Sequence, residues 1–425
     1  MRERMRAKGE DRPLPVFALI AWRTMASTTS PRHRRLPIFA LMLSLFIAPL
    51  SGVSGQSGVL QQTRPRRAGE ARKPPTTSAE EVGEDDVVRI ETDLVTVPVV
   101  VRDRAGRPIA SLRPENFQIY EDGQPQRIAN FATTDAPFEV ALLLDTSGST
   151  RADLELIRRA ARSFIAALRP FDRVAVLAFK TDPDDPSALA KVEIKTALTN
   201  DRARLQEAIE DLSTSNGTPF YDSLLNVAQK VFADPPREEV RGRRALVALT
   251  DGVDSTSEAD FARARAALLQ KGIICYFIEI NTEEFVEDRL LRDCADDGTL
   301  QLSRTQLQRY RQLFVPRADE DAYADFCRLG PFQRMQISRT LYELARREMQ
   351  ELARVTGGQT FPVAELRDAQ RAFAQVANEI GKQYSLGYYP TNKARDGRFR
   401  TIRVEVKGVS GAQVSAREGY YAPKG

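Results

Sequence analysis

The 425-residue chain reads as an α/β protein: a doubly wound, mostly parallel sheet inserted between the two halves of a small β-sandwich. Three observations predict this. Between residues 137 and 383, short continuous apolar runs (EVALLLD, RVAVLAF, RALVALTD, IICYFIEI) alternate with segments whose apolar residues recur at i, i+3, i+4 and i+7. On both sides of this region the helical period vanishes and β-branched, strand-like segments replace it. The C-terminal strands alone would be a marginal sheet, so the two flanks are expected to pair.

The N-terminal β-rich segment, residues 87–136, opens with VVRIETDLVTVPVVVRD and a turn signal at Asp103–Gly106; NFQIYED then ends at the turn pair Asp122–Gly123. The α/β domain, residues 137–383, begins with EVALLLD. The helix after it buries Ile157, Ala160, Ala161, Phe164, Ile165 and Leu168 on one face. Strands RVAVLAF and KVEIKTAL follow, then helices 202–212 and 219–233, strand RALVALTD, helix 257–270 and strand IICYFIEI. Residues 281–345 break the rhythm as a polar, largely helical insertion, in which the Arg-rich stretch RYRQLFVPR reads as a solvated face. The pattern resumes with helix 340–355, the run Gly357–Val363 and helix 365–382. Residues 384–425 form the C-terminal β-rich segment, with two Gly-Tyr-Tyr runs that read as strand-end packing.

Residues 1–55 have the order of a secretory signal: Arg32, Arg34 and Arg35, an apolar run from Leu36 to Leu50, then small residues through Gly55. The apolar run is shorter than the ~20 residues of a membrane span. Met25 is an alternative start, and an uncleaved anchor is the alternative to export. Residues 56–86, rich in Pro, Gly, Ser, Thr and charge, read as a disordered linker. The expected location is therefore the periplasm, cell surface or medium, with no membrane span after signal cleavage. Residues 1–55 hold nine Lys or Arg against three Asp or Glu, so a chain of net charge +4 leaves −2 on the remainder. The basic excess disappears with the signal, and no nucleic-acid partner is expected. The only histidine, His33, and the only tryptophan, Trp22, go with it. Without an imidazole, Ser-His-Asp and Cys-His catalysis and His-ligated zinc are excluded. Of three cysteines, Cys294 and Cys327 are a disulfide candidate, and Cys275 reads as a buried thiol.

The chemistry concentrates where strands end. Asp145-Thr146-Ser147-Gly148-Ser149 follows the first α/β strand, and alternate residues of an extended turn point the same way. Thr218 precedes Pro219 at a helix start, and Asp251 follows strand RALVALT. All five positions belong to the crevice at the carboxyl edge of the sheet. Five oxygen donors with only two carboxylates suit a hard, six-coordinate cation, Mg²⁺ or Mn²⁺. Helix capping is the competing use of the same oxygens: Asp and Ser routinely accept helix amides, and Thr218 could cap ahead of Pro219. Asp222 and Asp254 lie near the cluster and read as solvated or supporting groups.

These residues resemble the von Willebrand factor A (VWFA) family and its metal-ion-dependent adhesion site (MIDAS): DTSGS at 145–149, the threonine of GTPFYD at 217–222, and the aspartate of LTDGVD at 249–254. The flanks, with VVVRDRAGRPIASLRPENFQIYEDG and YSLGYYPTN, look like the VWFA-related acidobacterial domain of bacterial exported proteins. The 281–345 insertion has no counterpart in that pattern. The resemblance implies a Rossmann-like fold and an adhesion or protein-interaction module, not an enzyme. Its metal, held by Asp145, Ser147, Ser149, Thr218 and Asp251, would bind a protein or peptide ligand donating an Asp or Glu carboxylate. A metal-dependent hydrolase and a structural cell-envelope protein are the alternatives.

Overall fold

The computed structural model describes residues 94–425 apart from 134–135, 183, 186–187, 241 and 292–301. The expected signal (residues 1–55), the linker (56–86), residues 87–93 and Cys294 lie outside the described residues. Cys327 is disulfide-bonded, and Cys275 is a free, buried thiol. Among the described residues no helix is long and apolar enough to cross a membrane.

The N-terminal segment supplies strands β1 (Val95–Arg102), β2 (Phe117–Glu121), β3 (Gln124–Gln126) and β4 (Ile128–Ala132). The α/β region follows with β5 (Glu139–Leu144), α1 (Leu154–Ala167), β6 (Arg173–Lys180), β7 (Lys191–Thr199), α2 (Arg202–Glu210), α3 (Phe220–Asn226), β8 (Arg244–Thr250), α4 (Phe261–Lys271) and β9 (Ile274–Ile280). Helices α5 (Glu283–Leu290) and α6 (Arg304–Phe314) belong to the insertion, which leads into α7 (Pro331–Thr356), β10 (Gln359–Val363) and α8 (Ala369–Gly381). The chain ends with β11 (Tyr384–Tyr388), β12 (Phe399–Val406), β13 (Gln413–Ala416) and β14 (Gly419–Tyr421).

The central sheet runs β10-β9-β8-β5-β6-β7 and is parallel except for β7, which pairs antiparallel with β6 at the edge. The short apolar strands are covered on both faces, as their unbroken hydrophobicity requires. On one side Phe164 of α1, Leu205 of α2 and Phe373 of α8 pack on Val140, Leu142 and Val247. On the other, Leu224 of α3, Leu268 of α4 and Leu352 of α7 pack on Leu143, Leu246 and Phe277.

The flanking strands make two four-stranded antiparallel sheets, β13-β1-β11-β4 and β14-β12-β2-β3, which share the core of Val97, Val99, Ile119, Leu386 and Ile402. Each sheet draws on both ends of the chain: Val97 faces Leu386, and Ile119 faces Val404. Asp122 and Gly123 have φ of 46° and 80°, the left-handed pair that a two-residue hairpin between β2 and β3 demands.

The helix expected at 219–233 is α3 followed by a π-helical turn, Val227–Val231. The helix expected at 340–355 begins earlier, at Pro331, and runs for 26 residues. Its first half (Ile337, Leu341) packs inside the insertion and its second half (Met349, Leu352) against the sheet, so no single apolar stripe marks it in the sequence. Nor is the Arg-rich stretch simply solvated. Arg309 donates to both carboxylate oxygens of Glu348 at 2.7 and 2.9 Å and stacks over the Tyr221 ring.

Candidate metal centre

Parallel pairing fixes where the acidic residues emerge. Leu144 of β5 lies beside Leu249 of β8, and the Asp145 amide donates to the Leu249 carbonyl at 2.9 Å. Asp145 and Asp251 therefore leave the sheet at the same carboxyl edge. Asp145 is fully buried; its carboxylate accepts from the Thr250 hydroxyl at 2.7 Å and the Ser147 amide at 3.0 Å. The Ser147 and Ser149 hydroxyls lie 3.2 Å apart. Asp251 accepts from the Val253 amide at 2.9 Å and, on its other oxygen, from the Thr282 hydroxyl at 2.5 Å.

Thr218 arrives on a different support. Gly217 has φ of 117°, and a Cβ there would lie 2.7 Å from the Thr256 methyl. Glycine is required both by the backbone and by the close approach. The turn is then clipped to the 254–257 loop from both sides: the Thr218 amide donates to Ser255 Oγ at 2.8 Å, and the Ser255 amide donates to the Thr218 carbonyl at 3.0 Å.

The hydroxyls of Ser147 and Thr218 are not spent on helix caps. Ser147 stands ahead of the 3₁₀ turn Gly148–Asp153 without a side-chain cap bond. The opening amides of α3, from Phe220 and Tyr221, go to Asp254 Oδ1 at 2.9 and 3.4 Å. Asp254 is thus a buried cap, held also by Ser257 Oγ, rather than a solvated group. Asp222 accepts from the Glu258 and Ala259 amides ahead of α4.

Ser147, Ser149, Thr218 and Asp251 line one cavity of about 730 Å³; Asp145 sits beneath it, outside the wall. Among the described residues, neither Asp145 nor Asp251 forms an ion pair with Lys or Arg, and no cluster of three His, Cys, Asp or Glu is placed to hold a metal. Two buried carboxylates sharing one pocket raise one another's proton affinity. Burial holds Asp145 above the usual carboxylate range, against hydrogen bonds from Ser147 and Thr250. Burial, with the Asp145 charge added, pushes Asp251 up to about 7. Two carboxylates with three hydroxyls are a donor set that fits a divalent hard cation, whose charge would offset what the protein leaves unbalanced.

The insertion covers this cavity. Leu302, Leu307, Phe326 and Leu341 line the same cavity as the serines. Tyr342 of α7 shares a hydrogen bond of 2.7 Å with Thr282 Oγ1, so the insertion is bonded to the Asp251 carboxylate through one hydroxyl. Sequence reasoning missed Thr282 and Tyr342. Thr282 follows β9 and so lies at the functional sheet edge, which was a usable signal; Tyr342 lies on the insertion, whose packing no local pattern reveals.

Residues 139–311 match the von Willebrand factor type A (VWA) domain. Domains of this family generally mediate protein–protein interaction and are often metal-dependent. No curated protein matches the chain. Among solved structures it is similar to a von Willebrand factor type A protein from Catenulispora acidiphila (13% identity, TM-score 0.37), with coverage of 78% of this chain and 74% of that one. It is also similar to proximal thread matrix protein 1 from the mussel byssus (13% identity, TM-score 0.35), covering 57% of this chain and about half, 48%, of that one. The VWA match ends within α6, so the rest of the insertion, β10, α8 and the sandwich lie outside it.

Proposed function

We propose that this VWA domain binds Mg²⁺ or Mn²⁺ in a MIDAS-type site and uses the ion to hold a carboxylate from a protein or peptide partner, in binding rather than turnover. Ser147, Ser149 and Thr218 would supply hydroxyl ligands, and Asp145 and Asp251 would balance the charge. The observation that carries this reading is a pair of buried carboxylates without an ion pair, set behind three hydroxyls, two of them free of helix caps. With only two negative charges in its protein shell, the bound ion would supply an electrophile that attracts a third carboxylate. Export is part of the same proposal. It rests on the charged, apolar, small-residue order of residues 1–55 and on the likeness of the flanks to the acidobacterial exported family.

Isothermal calorimetry with Mg²⁺ and Mn²⁺ tests the metal. We expect saturable binding to the chain and a loss of at least tenfold in affinity in Ser147→Ala/Ser149→Ala, with an unchanged circular dichroism spectrum. A folded wild-type protein that takes up neither ion would sink the reading.

A further inference from the structure

The cavity above the metal centre is more than an approach to it. Its volume of about 730 Å³ falls within the roughly 300–1,000 Å³ of small-ligand sites. Its floor is polar, formed by Ser147, Ser149, Thr218 and Asp251, whereas the insertion gives it an apolar wall of Leu302, Leu307 and Leu341, each at most 6% exposed. Within that wall stands Ser338 of α7, 1% exposed, whose hydroxyl has no hydrogen-bond partner. A buried hydroxyl without a partner is destabilising, and a helix could carry alanine there at no such cost. Arg304, at the first position of α6, lines the same cavity and forms no ion pair with a described residue. Asp325, the acidic residue on the roof side, is turned to the Cys327 amide at 2.9 Å.

The geometry points to a chamber for an amphipathic carboxylate. In it, the acid group lies at the floor on the metal and an apolar body of small-molecule size lies against the leucines, with Ser338 within the wall to take a polar atom of the ligand. This rests on the metal reading above and adds to it the kind of acid the site selects. A carboxylate alone leaves the wall facing water, whereas each CH₂ buried against it tightens binding about fourfold. The acid can belong to a free small molecule or to a peptide segment with an apolar neighbour.

Calorimetry on the full chain in saturating Mn²⁺ separates the outcomes. The probes are acetate, 3-phenylpropionate, and a blocked pentapeptide with one Glu flanked by Leu. We expect 3-phenylpropionate, the pentapeptide or both to bind at least tenfold tighter than acetate; the tighter of the two identifies the source. Ser338→Leu, which fills the chamber, should bring that preference below threefold while leaving Mn²⁺ affinity unchanged. Ser338→Ala, which keeps the space and removes only the hydroxyl, should retain the preference for 3-phenylpropionate, which has no second polar atom to offer it. Mn²⁺ binding with all three probes equal to acetate, or a preference untouched by Ser338→Leu, overturns the chamber alone. Failure of the wild type to bind Mn²⁺ overturns the metal reading and this one with it.

Discussion

Asp254 holds its carboxyl in a buried setting. Burial pushes its carboxyl up to about 6, against the bonds from Ser257, Tyr221 and Phe220 that favour the ionised form. Because the folded value lies above the unfolded one, the stabilising contribution is fully present below about pH 4 and is lost as pH rises to about 6. Asp254→Asn keeps an acceptor for the α3 amides and removes the charge. In chelator, urea midpoints should therefore show the variant gaining on the wild type from pH 4.5 to 6.5, by at most about 3 kcal/mol, and running parallel to it above pH 7. A gap that does not change with pH would mean that the carboxyl does not titrate there. Thr282 poses the complementary case, a donor rather than a charge. Thr282→Val leaves one Asp251 oxygen buried without its hydroxyl partner, and a destabilisation of about 1–3 kcal/mol follows. On the metal reading, saturating Mg²⁺ should recover part of that loss in thermal melts, and no recovery would count against it.

At the scale of elements, what was legible and what was not divide along the sheet. Runs such as EVALLL and RALVALT are apolar throughout, so their burial on both faces was readable, and with it the edge where Asp145 and Asp251 emerge. The antiparallel turn of β7 was not readable, because its alternation is the same in either direction. The insertion resisted for a different reason: its helices are specified by partners far along the chain. Arg309 of α6 is satisfied by Glu348, 39 residues away, and Glu348 also accepts from the Tyr221 hydroxyl of α3 at 2.6 Å. No local period encodes a pair of that separation. The same network predicts how α6 is held. Arg309→Met removes the guanidinium and leaves a buried carboxylate, a loss of about 3–5 kcal/mol for a pair of this kind. Hydrogen exchange should rise across Arg304–Phe314 and stay unchanged in Glu139–Leu144 of β5; equal protection in α6 would show that its apolar face suffices.

Among the described residues, the two halves of the sandwich pair directly in both sheets but are connected along the chain through the α/β domain. If that domain unfolded by itself, β1 and β11 would be tethered by a slack loop of residues 137–383, and closing a loop costs entropy that grows as (3/2)RT ln n. Sandwich and α/β domain should therefore unfold together, provided the junction is stiff. Arg243 is what makes it so. Its guanidinium, fully buried, donates to the Ala136 carbonyl where the chain enters the α/β domain and to the Ile380 carbonyl, at 2.8 Å, where the chain leaves it. It also lies over the Phe138 ring. One residue before Ile380, Glu379 pairs with Arg102 of β1, both buried. Arg243→Met keeps most of the volume and withdraws the donors, leaving the Ala136 carbonyl to its bond from Arg169 at 2.8 Å and the Ile380 carbonyl to that from the Gln383 amide at 3.4 Å. The expected cost is about 1.5–3 kcal/mol for each of the two bonds lost from the charged donor. Coupling should fall with stability, so calorimetric melting should pass from one transition in the wild type to two in the variant. A variant that melts once, at the wild-type temperature, would show that the Arg102–Glu379 pair and the sheet contacts hold the junction without Arg243.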